Sequence, residues 1–435
     1  MNADLHSEPP AVSPATEAAP AVSPTGERVD VAIIGSGPAG LLAAAALARR
    51  GAGVVVLERE GEAGGVPRHS HHTGYGLRDR RRLSTGPVYA RRLVEDAHRA
   101  GVDLRTHATV TGWAGPRGLA VTSPRGRELL EAGAVVLATG ARERPRSARL
   151  IPGDRPSGVY TTGELQLRLH LQGGLTASRA VIVGAELVSW SAVVSLRRAG
   201  CATALMTTEH PVAESPGPLV AVGGRLLDVP VATSTRVVRI IGRDRLEGVE
   251  TLDLRTGARR TVACDCLVTT GSWVPEQELA RSGGLQVDTA SGAPVVDGAL
   301  RTSRPGVFAA GNLVHPVDTA DVAALGGTHV AGTVLRWLTA PAPPPRGVAV
   351  TAEAPLSWVA PSVWRPGEPA PARRRLLAWS QVARRRATVS VVQDGQTLTR
   401  RSLPWPVSPG RILRLPSSLL AQVDPGNGPV RLMLD

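Results

Sequence analysis

The sequence contains no lysine, so all 50 of its basic side chains are arginines. The net charge of +13 therefore reflects a one-sided choice of basic residue, which weakens any argument from the basic isoelectric point. Only three cysteines are present, Cys201, Cys264 and Cys266, too few for a disulfide framework. Such a count is typical of a reducing compartment. We expect the protein to be cytoplasmic, and peripheral binding to the inner membrane face is an alternative.

Long apolar runs are also missing. The longest obvious one, residues 41–48, is far shorter than the roughly 18 residues that a membrane-spanning helix needs. Residues 1–28 have neither the basic start nor the continuous apolar segment of a secretory signal, and their Pro/Ala/Ser composition predicts a disordered tail. The chain of 435 residues is long enough for two or three domains.

A dinucleotide-binding unit is predicted over residues 30–60. An apolar strand leads into GSGPAG, in which Gly35, Gly37 and Gly40 have the G-x-G-x-x-G spacing. These glycines would permit a tight turn, close approach of a pyrophosphate and close packing of helix on strand, in that order. A helix N-terminus would then face the phosphates. Glu58 ends the next strand and can accept hydrogen bonds from a ribose.

Two later strand ends select FAD over NAD for this first site. Residues 134–145 contain Ala138-Thr139-Gly140, and residues 304–316 contain Gly311-Asn312. Together with the first unit they resemble the flavoproteins with two dinucleotide-binding domains, which include glutathione and thioredoxin reductases. In that group the corresponding strand ends help to hold FAD. The late pair is usually glycine-aspartate, whereas Asn312 brings a hydrogen-bonding amide without a charge.

The resemblance spans about residues 29–340 and implies a set of FAD contacts. The implied positions are Gly35, Gly37, Pro38, Ala39, Gly40, Glu58, Arg59, Gly65, Arg68, Val110, Ala138, Thr139, Gly140, Gly311 and Asn312.

The pattern repeats in residues 178–209, which predicts a second domain inserted into the first. Here Glu186 stands where the middle glycine belongs. A carboxylate about 4 Å from a phosphate costs ~4 kcal/mol at an effective dielectric near 20, so the turn is predicted to be closed to NAD(P). The alternative is that Glu186 points aside and NAD(P)H still binds, with Glu209 on the ribose.

The loop over residues 64–76 contains no cysteine, where flavin-dependent disulfide reductases carry a reactive pair. Disulfide exchange beside the flavin is therefore excluded. Three histidines within four residues rarely converge on a metal, and we predict no metal site. We expect Gly65 to let the backbone pass the flavin and Arg68 or His69 to meet its edge or a substrate carboxylate. His71 and His72 are either solvated or functional.

The loop, together with residues 140–166, 182–192 and 309–327, is similar to flavoprotein subunits of bacterial opine oxidases and hydrogen cyanide synthase. That resemblance implies oxidation of a carbon–nitrogen bond in a small amine, imino acid or opine, with hydride passing to the flavin. Electrons would leave through a partner, such as a second flavoprotein or an iron–sulfur subunit, or through a quinone. Several such proteins end in a cysteine-rich iron–sulfur module, but no cysteine follows Cys266.

Three residues are candidates for catalysis. His315 follows Gly311-Asn312 and precedes a predicted helix, where a neutral imidazole could take the amine proton. Arg142 follows Gly140 and is either a carboxylate anchor or a cap. His69 is the third candidate, in the histidine loop.

The C-terminal part begins with a proline-rich connector over residues 340–375, followed by a small β module over residues 376–435. Its hairpin would turn at Asp394-Gly395. Trp379 and Trp405 would fill its core. Residues 341–435 hold 13 arginines against five acidic residues, either as a docking face for an acidic partner or as a solvated surface. No nucleic-acid motif accompanies them.

The predicted fold is α/β, with two Rossmann-like dinucleotide-binding domains, the second inserted in the first, plus the small C-terminal β module. Residues 29–158 and 268–339 form the FAD domain, and residues 159–267 form the degenerate second domain. The favoured hypothesis is an FAD-dependent oxidoreductase acting on a carbon–nitrogen bond. The alternatives are an NAD(P)H-dependent flavoprotein reductase and a non-catalytic FAD-binding scaffold within a complex.

Overall fold

The computed structural model describes residues 26–315 and 318–435, so the predicted disordered tail lies almost wholly outside the described residues. The first segment supplies most of one sheet and its helices. Its elements are β1 (Glu27–Ile34), α1 (Pro38–Ala48), β2 (Val54–Leu57), β3 (Thr73–Tyr75), β4 (Ser84–Thr85), α2 (Gly86–Arg99), β5 (Asp103–Arg105), β6 (Thr109–Trp113), β7 (Gly118–Ser123), β8 (Gly126–Leu137) and β9 (Ala141–Glu143).

The first sheet has seven strands in the order β5-β2-β1-β8-β7-β6, and a later strand also pairs with β8. Strands β5, β2, β1 and β8 run parallel, whereas β6, β7 and β8 form an antiparallel meander. The last four residues of β1 are all buried, which is typical of a central strand covered on both faces. This is the dinucleotide-binding architecture predicted from the glycine turn.

The inserted domain follows a ribbon that carries the chain out of the first sheet. Its elements are β10 (Val159–Thr161), α3 (Thr162–Leu171), β11 (Arg179–Val183), α4 (Leu187–Arg198), β12 (Ala202–Thr207), α5 (Gly217–Leu227), β13 (Val231–Ala232), β14 (Thr235–Ile241), β15 (Gly248–Asp253), β16 (Arg259–Ala263) and β17 (Cys266–Thr269). Five strands form a parallel sheet in the order β10-β17-β11-β12-β13, and β14, β15 and β16 form a separate antiparallel sheet.

The chain returns to the first sheet through β18 (Trp273–Pro275), α6 (Glu278–Ser282), β19 (Val307–Ala309) and α7 (Ala320–Thr339). β18 pairs with β9 as an antiparallel ribbon, so the outgoing and returning chains lie side by side. β19 completes the first sheet beside β8. Because β17 extends to Thr269, the predicted domain boundary at residue 267 cuts through a strand.

The C-terminal module is larger than predicted, because the proline-rich connector is itself strand-forming. The module contains β20 (Val348–Ala352), β21 (Leu356–Ala360), β22 (Val363–Trp364), β23 (Arg375–Ser380), β24 (Thr388–Gln393), β25 (Gln396–Ser402), β26 (Ile412–Pro416) and β27 (Val430–Leu434). The prediction of a connector over residues 340–375 is therefore wrong. Its prolines lie between strands, and the short apolar runs of β20 and β21, which are mostly buried, decide the local structure.

The module folds as two sheets, β22-β20-β27-β24-β25 and β21-β23-β26, and the β24–β25 hairpin turns at Asp394-Gly395. Its placement of tryptophans differs from the prediction. Trp405 is 45% exposed, and Trp379 stacks on Trp358 with ring centroids 6.3 Å apart, packing against the core of the first domain. The module is thus docked by apolar contacts as well as by its charges.

Candidate functional site

The first glycine turn is built as the sequence pattern predicts. Gly35 has φ +101°, and a methyl group there would lie 2.5 Å from the Ala138 carbonyl oxygen. A methyl group on Gly40 would lie 2.0 Å from the Gly35 carbonyl oxygen, so helix and turn are in direct contact. Gly37 differs from both, because a methyl group there meets no neighbouring atom of residues 26–315 and 318–435 within 4 Å. Its Cα faces space outside the packed protein, where a pyrophosphate would lie.

The N-terminus of α1 is free to bind an anion. Gly37 is the N-cap and supplies no side-chain cap, Pro38 lacks an N–H at the start of the helix, and the first turn carries no acidic residue. Its backbone N–H groups and the positive end of the helix dipole are therefore available to phosphate oxygens. Ala39 packs against the protein. A methyl group on Gly311 would lie 2.6 Å from the Ala39 Cβ, and a methyl group on Gly327 would lie 2.0 Å from the Ala39 carbonyl oxygen.

Glu58 is buried at the end of β2 and is fixed by the turn itself. Its Oε2 accepts from the Ser36 N–H at 3.0 Å and from the Ser36 hydroxyl at 2.5 Å, and its Oε1 accepts from the Glu60 N–H at 2.9 Å. A carboxylate offers about four lone-pair sites, so one remains for a ribose hydroxyl. Arg59 points to solvent and pairs loosely with Glu60. Ser36, missed by the sequence analysis, is fully buried and orients the acid.

The histidine loop lies directly against the glycine turn. Gly65 has φ +63°, and a methyl group there would lie 2.9 Å from the Gly37 Cα. The Gly64 N–H donates to the Ser36 carbonyl oxygen at 3.1 Å. Arg68, however, bonds to the Glu62 carbonyl oxygen at 2.6 Å and lies 3.5 Å from its carboxylate. The loop therefore borders the cradle, by which we mean the first glycine turn, the start of α1 and Glu58. Arg68 is held by Glu62 of the same loop.

The histidines of the loop face the inserted domain. Ser70 donates to the Gln166 side chain of α3 at 2.9 Å, and the His71 and His170 rings stack in parallel at 3.9 Å. Burial and the neighbouring Arg68 lower the pKa of His69 to about 4, so its imidazole is neutral at pH 7. No cluster of three potential metal ligands occurs within residues 26–315 and 318–435.

The Ala138-Thr139-Gly140 strand end joins the cradle, but Arg142 does not. The Ala138 N–H donates to the Ile34 carbonyl oxygen at 2.9 Å, and the Thr139 hydroxyl donates to the Glu276 carbonyl oxygen at 2.8 Å. Arg142 lies on the β9–β18 ribbon, 3.1 Å from the Glu276 carboxylate, and also bonds to a second acid on α6. Glu278 and Glu276 raise the pKa of Arg142, and its guanidinium is paired with both carboxylates. Of the two roles left open for Arg142, carboxylate anchor and cap, the anchor would have to compete with these two glutamates.

Val110 lies on β6, in the meander, and pairs with Val121 of β7. It packs against the first core as a half-buried side chain. Nothing in this geometry singles it out beyond its position in the meander, so its contact with FAD stays a prediction.

Asn312 is tied to an acid that the sequence analysis missed. Its side-chain amide donates to the Asp318 carbonyl oxygen at 3.2 Å, and its Oδ1 accepts from the Asp318 N–H at 3.4 Å. The buried Asp318 carboxylate bonds to Arg414 of the module at 2.5 Å. His315 is buried beside this pair, and burial lowers its pKa. The late strand end therefore has a carboxylate nearby, six residues after Asn312.

The second glycine turn is covered on two sides. A methyl group on Gly271 would lie 2.1 Å from the Glu186 Oε1, so the carboxyl lies directly on the Gly271 backbone. From the other side, Gly410 of the module is so close that a methyl group there would lie 3.0 Å from the Glu186 Cγ and 2.5 Å from the Glu214 Cβ. The Arg411 side chain donates to the Glu214 carbonyl oxygen at 2.6 Å.

The electrostatics of this turn differ from the prediction. Burial, with nearby Glu214, raises the pKa of Glu186 to about 8, while Arg149 opposes the rise. The carboxyl is therefore mostly protonated at neutral pH, and charge repulsion is a minor part of the closure. What closes the turn is packing, because the side chain lies between two glycine backbones.

The sequence matches the family described as pyridine nucleotide-disulphide oxidoreductase over residues 29–327. The chain is 30% identical to an opine oxidase subunit of Agrobacterium tumefaciens (strain Ach5) over 70% of its length and 63% of that protein. It is 28% identical to the corresponding opine oxidase subunit of Rhizobium meliloti over 71% of its length and 62% of that protein. The chain thus spans less than two thirds of each relative, and the predicted likeness to opine oxidase subunits is confirmed.

Among solved structures, the thioredoxin reductase of T. acidophilum superposes with a TM-score of 0.60 at 22% identity, covering 71% of this chain and 98% of that one. This likeness confirms the two-domain fold. No helix of residues 26–315 and 318–435 is both long and apolar enough to cross a membrane. The chain belongs to the pyridine nucleotide-disulphide oxidoreductase family.

Proposed function

We propose that this protein is the FAD-binding component of a dehydrogenase or oxidase that acts on a carbon–nitrogen bond of a small amine, imino acid or opine. Electrons leave through a partner protein or a quinone, and NAD(P)H is not the donor. The observation that carries the proposal is the contrast between the two glycine turns. The first exposes Gly37 to open space, and the second has Glu186 packed between Gly271 and Gly410.

The residues of the first turn fit FAD. The N–H groups at the start of α1 would bind the pyrophosphate, and the remaining lone pair of Glu58 would accept from the ribose. Bound FAD supplies a two-electron acceptor next to the Gly64–Gly65 loop. Asn312, held by Asp318, would donate its amide to the ribityl chain.

Two of the three catalytic candidates are retained within this proposal. His69 and His315 are both held neutral at pH 7 by burial, the state in which an imidazole can accept a proton from a substrate amine. Arg142 is no longer a catalytic candidate in this proposal, because its guanidinium already pairs with two glutamates. We propose that the substrate carboxylate binds an arginine elsewhere.

The opine oxidase relatives support the substrate class, and their naming as subunits supports a partner. The described residues do not include an iron–sulfur module, so we propose that a separate protein accepts the electrons. All three cysteines are free and buried, and burial raises the pKa of Cys201 to about 11 and of Cys264 to about 12. Such inert thiols suit a reducing compartment, and we propose the cytoplasm, at or near the inner membrane face.

An NAD(P)H-dependent reductase is the second candidate, favoured by one observation. The inserted domain keeps the parallel sheet, the turn at Gly184 with φ +118° and a helix directly after the turn. All that bars the cofactor is the packing around Glu186. A non-catalytic scaffold is the third alternative.

Anaerobic mixing separates these functions. The purified protein, with its flavin, is mixed with octopine, nopaline, proline and sarcosine, then with NADH and NADPH, while the visible flavin band is recorded. We expect bleaching by at least one nitrogen compound when an artificial acceptor is absent, and none by the nicotinamide cofactors. Bleaching by NADH or NADPH alone would establish the reductase, and bleaching by none would favour the scaffold.

A further inference from the structure

A cavity lies between the C-terminal module and the segment around Gly311-Asn312. We call this boundary the module seam. The cavity volume is about 50 Å³, room for about four waters at 10–15 Å³ each. Val314 and Val322 form part of one wall, and Ala360, Ala372 and Leu377 of the module form part of the other. The apolar walls favour a short hydrocarbon body.

The polar groups around this cavity are almost all positive. Arg373, Arg375 and Arg414 line it, and only Arg414 is paired with a carboxylate in the described part of the chain, that of Asp318. Arg373 and Arg375 are exposed at the edge of the cavity, so three guanidinium groups surround it with one paired acid. The seam carries a net positive charge that an anionic ligand would balance.

Two buried polar atoms at the cavity also point to a ligand. The Arg414 Nε and the His315 Nδ1 have no hydrogen-bond partner within residues 26–315 and 318–435. His315 itself is only 8% exposed, and it lines the cavity. A buried N–H without a partner costs ~1–3 kcal/mol, so a ligand oxygen that accepts from the Arg414 Nε would be stabilised.

We propose that this cavity binds a small monocarboxylate, with its hydrocarbon end on the apolar wall and its carboxylate on the arginines. Arginine is the side chain best suited to hold a carboxylate, because its planar fork offers several donors. The cavity shares Gly311 and His315 with the predicted FAD contacts and catalytic candidates, and residues of the module form its other wall. Its test needs binding only, so its outcome is independent of the proposed reaction.

The test measures binding of sodium propionate to the full-length protein by isothermal titration calorimetry. Propionamide, which has the same shape without the charge, and propylamine, which has the opposite charge, serve as probes. We expect propionate to bind at least tenfold more tightly than propionamide, and propylamine not to bind. A rise in Tm with propionate is the second readout.

The chain provides a matched control beside the site. Arg374 is exposed in the same turn and does not line the cavity. We expect the double variant Arg373→Gln/Arg375→Gln to weaken propionate binding at least tenfold and Arg374→Gln to leave it within twofold. Ala372→Leu fills the cavity without changing charge, and it is expected to abolish binding while the melting temperature stays at or above that of the parent.

Four results would overturn the proposal: no propionate binding at 10 mM, equal binding of propionamide, equal losses in the double variant and in Arg374→Gln, or a folded double variant that binds propionate as the parent does. Circular dichroism of each variant shows whether it is folded.

Discussion

Single glycines differ sharply in what they do in the first turn. Gly35 and Gly40 are required by the protein itself, because methyl groups there would lie 2.5 Å and 2.0 Å from carbonyl oxygens. Gly37 is required by the ligand that we expect to bind, since a methyl group there meets no neighbouring atom within 4 Å in the part of the chain that the structure describes. The three positions of one motif therefore separate into structural and ligand-binding roles.

This difference predicts the effect of Gly37→Val. The isopropyl group would occupy the space of the pyrophosphate, so we expect colourless protein that keeps the parent's circular dichroism and, measured without flavin, its Tm within about 2 °C. Gly217→Val is the matched control, because Gly217 is also at a helix start with open space around it. It should retain full flavin absorbance. A yellow Gly37→Val protein would contradict the assignment of the first site.

Glu186 gives stability a pH dependence. Its pKa is about 8 in the folded protein against 4.5 for the free side chain, so its contribution is fully present below pH 4.5 and is lost as the pH rises towards 8. Each pH unit in this window costs about 1.4 kcal/mol. Glu186→Gln keeps the shape of the protonated acid and removes this loss.

We therefore expect Glu186→Gln to match the parent near pH 5 and to gain several kcal/mol of unfolding free energy by pH 8, measured by urea denaturation. Glu209→Gln is the control, because Glu209 is exposed and paired with Arg236. Its difference from the parent should stay below about 1 kcal/mol. A gain for Glu186→Gln that is constant between pH 5 and pH 8 would refute the raised pKa.

Among the elements, the strands of the C-terminal module show how sequence reasoning failed and why. Proline density suggested a connector, yet β20 and β21 are rich in apolar residues and join the module's sheets. These short apolar runs were readable, and the error was to weigh prolines above them. The first glycine turn, by contrast, could be predicted from the sequence, because G-x-G-x-x-G between strand and helix has one physical meaning.

The partners of the site residues could not be read from the sequence. Arg142 pairs with Glu276 across the β9–β18 ribbon, a contact between positions more than 130 residues apart. Likewise, nothing in the sequence placed Gly410 against Glu186. Asp318 is the exception, since an acid six residues after Asn312 could have been noticed as a substitute for the missing aspartate.

One buried acid contributes to the docking of the module. Asp297 is 1% exposed and accepts from Arg301 and from Arg365 of the module, each at 2.8 Å. Asp297→Ala would leave Arg365 without a carboxylate partner and Arg301 with Glu368 alone, so we expect a loss of about 3–5 kcal/mol in urea denaturation. The surface pair of Glu353 and Arg431 is the control, and Glu353→Ala should cost less than about 1 kcal/mol. Equal losses would mean that Asp297 does not anchor the module.

For the whole molecule, three arginines of the C-terminal module have a structural role. Arg365, Arg411 and Arg414 of the module reach back to the flavin domain and to the inserted domain. The module therefore joins both dinucleotide domains and covers the second turn. Of the two interpretations of these charges, a docking face and a solvated surface, neither describes these three side chains. The acids that they meet belong to the same chain.

The account rests on a first cradle that binds FAD and a second that is closed to NAD(P)H. An anaerobic titration of the flavin-containing protein with NADPH and NADH tests it most directly, with Glu186→Gly measured in parallel. We predict no bleaching of the flavin band in either protein, because the loop at Gly410 still covers the turn when the carboxyl is removed. Stoichiometric bleaching of the parent protein by either cofactor would contradict the central claim.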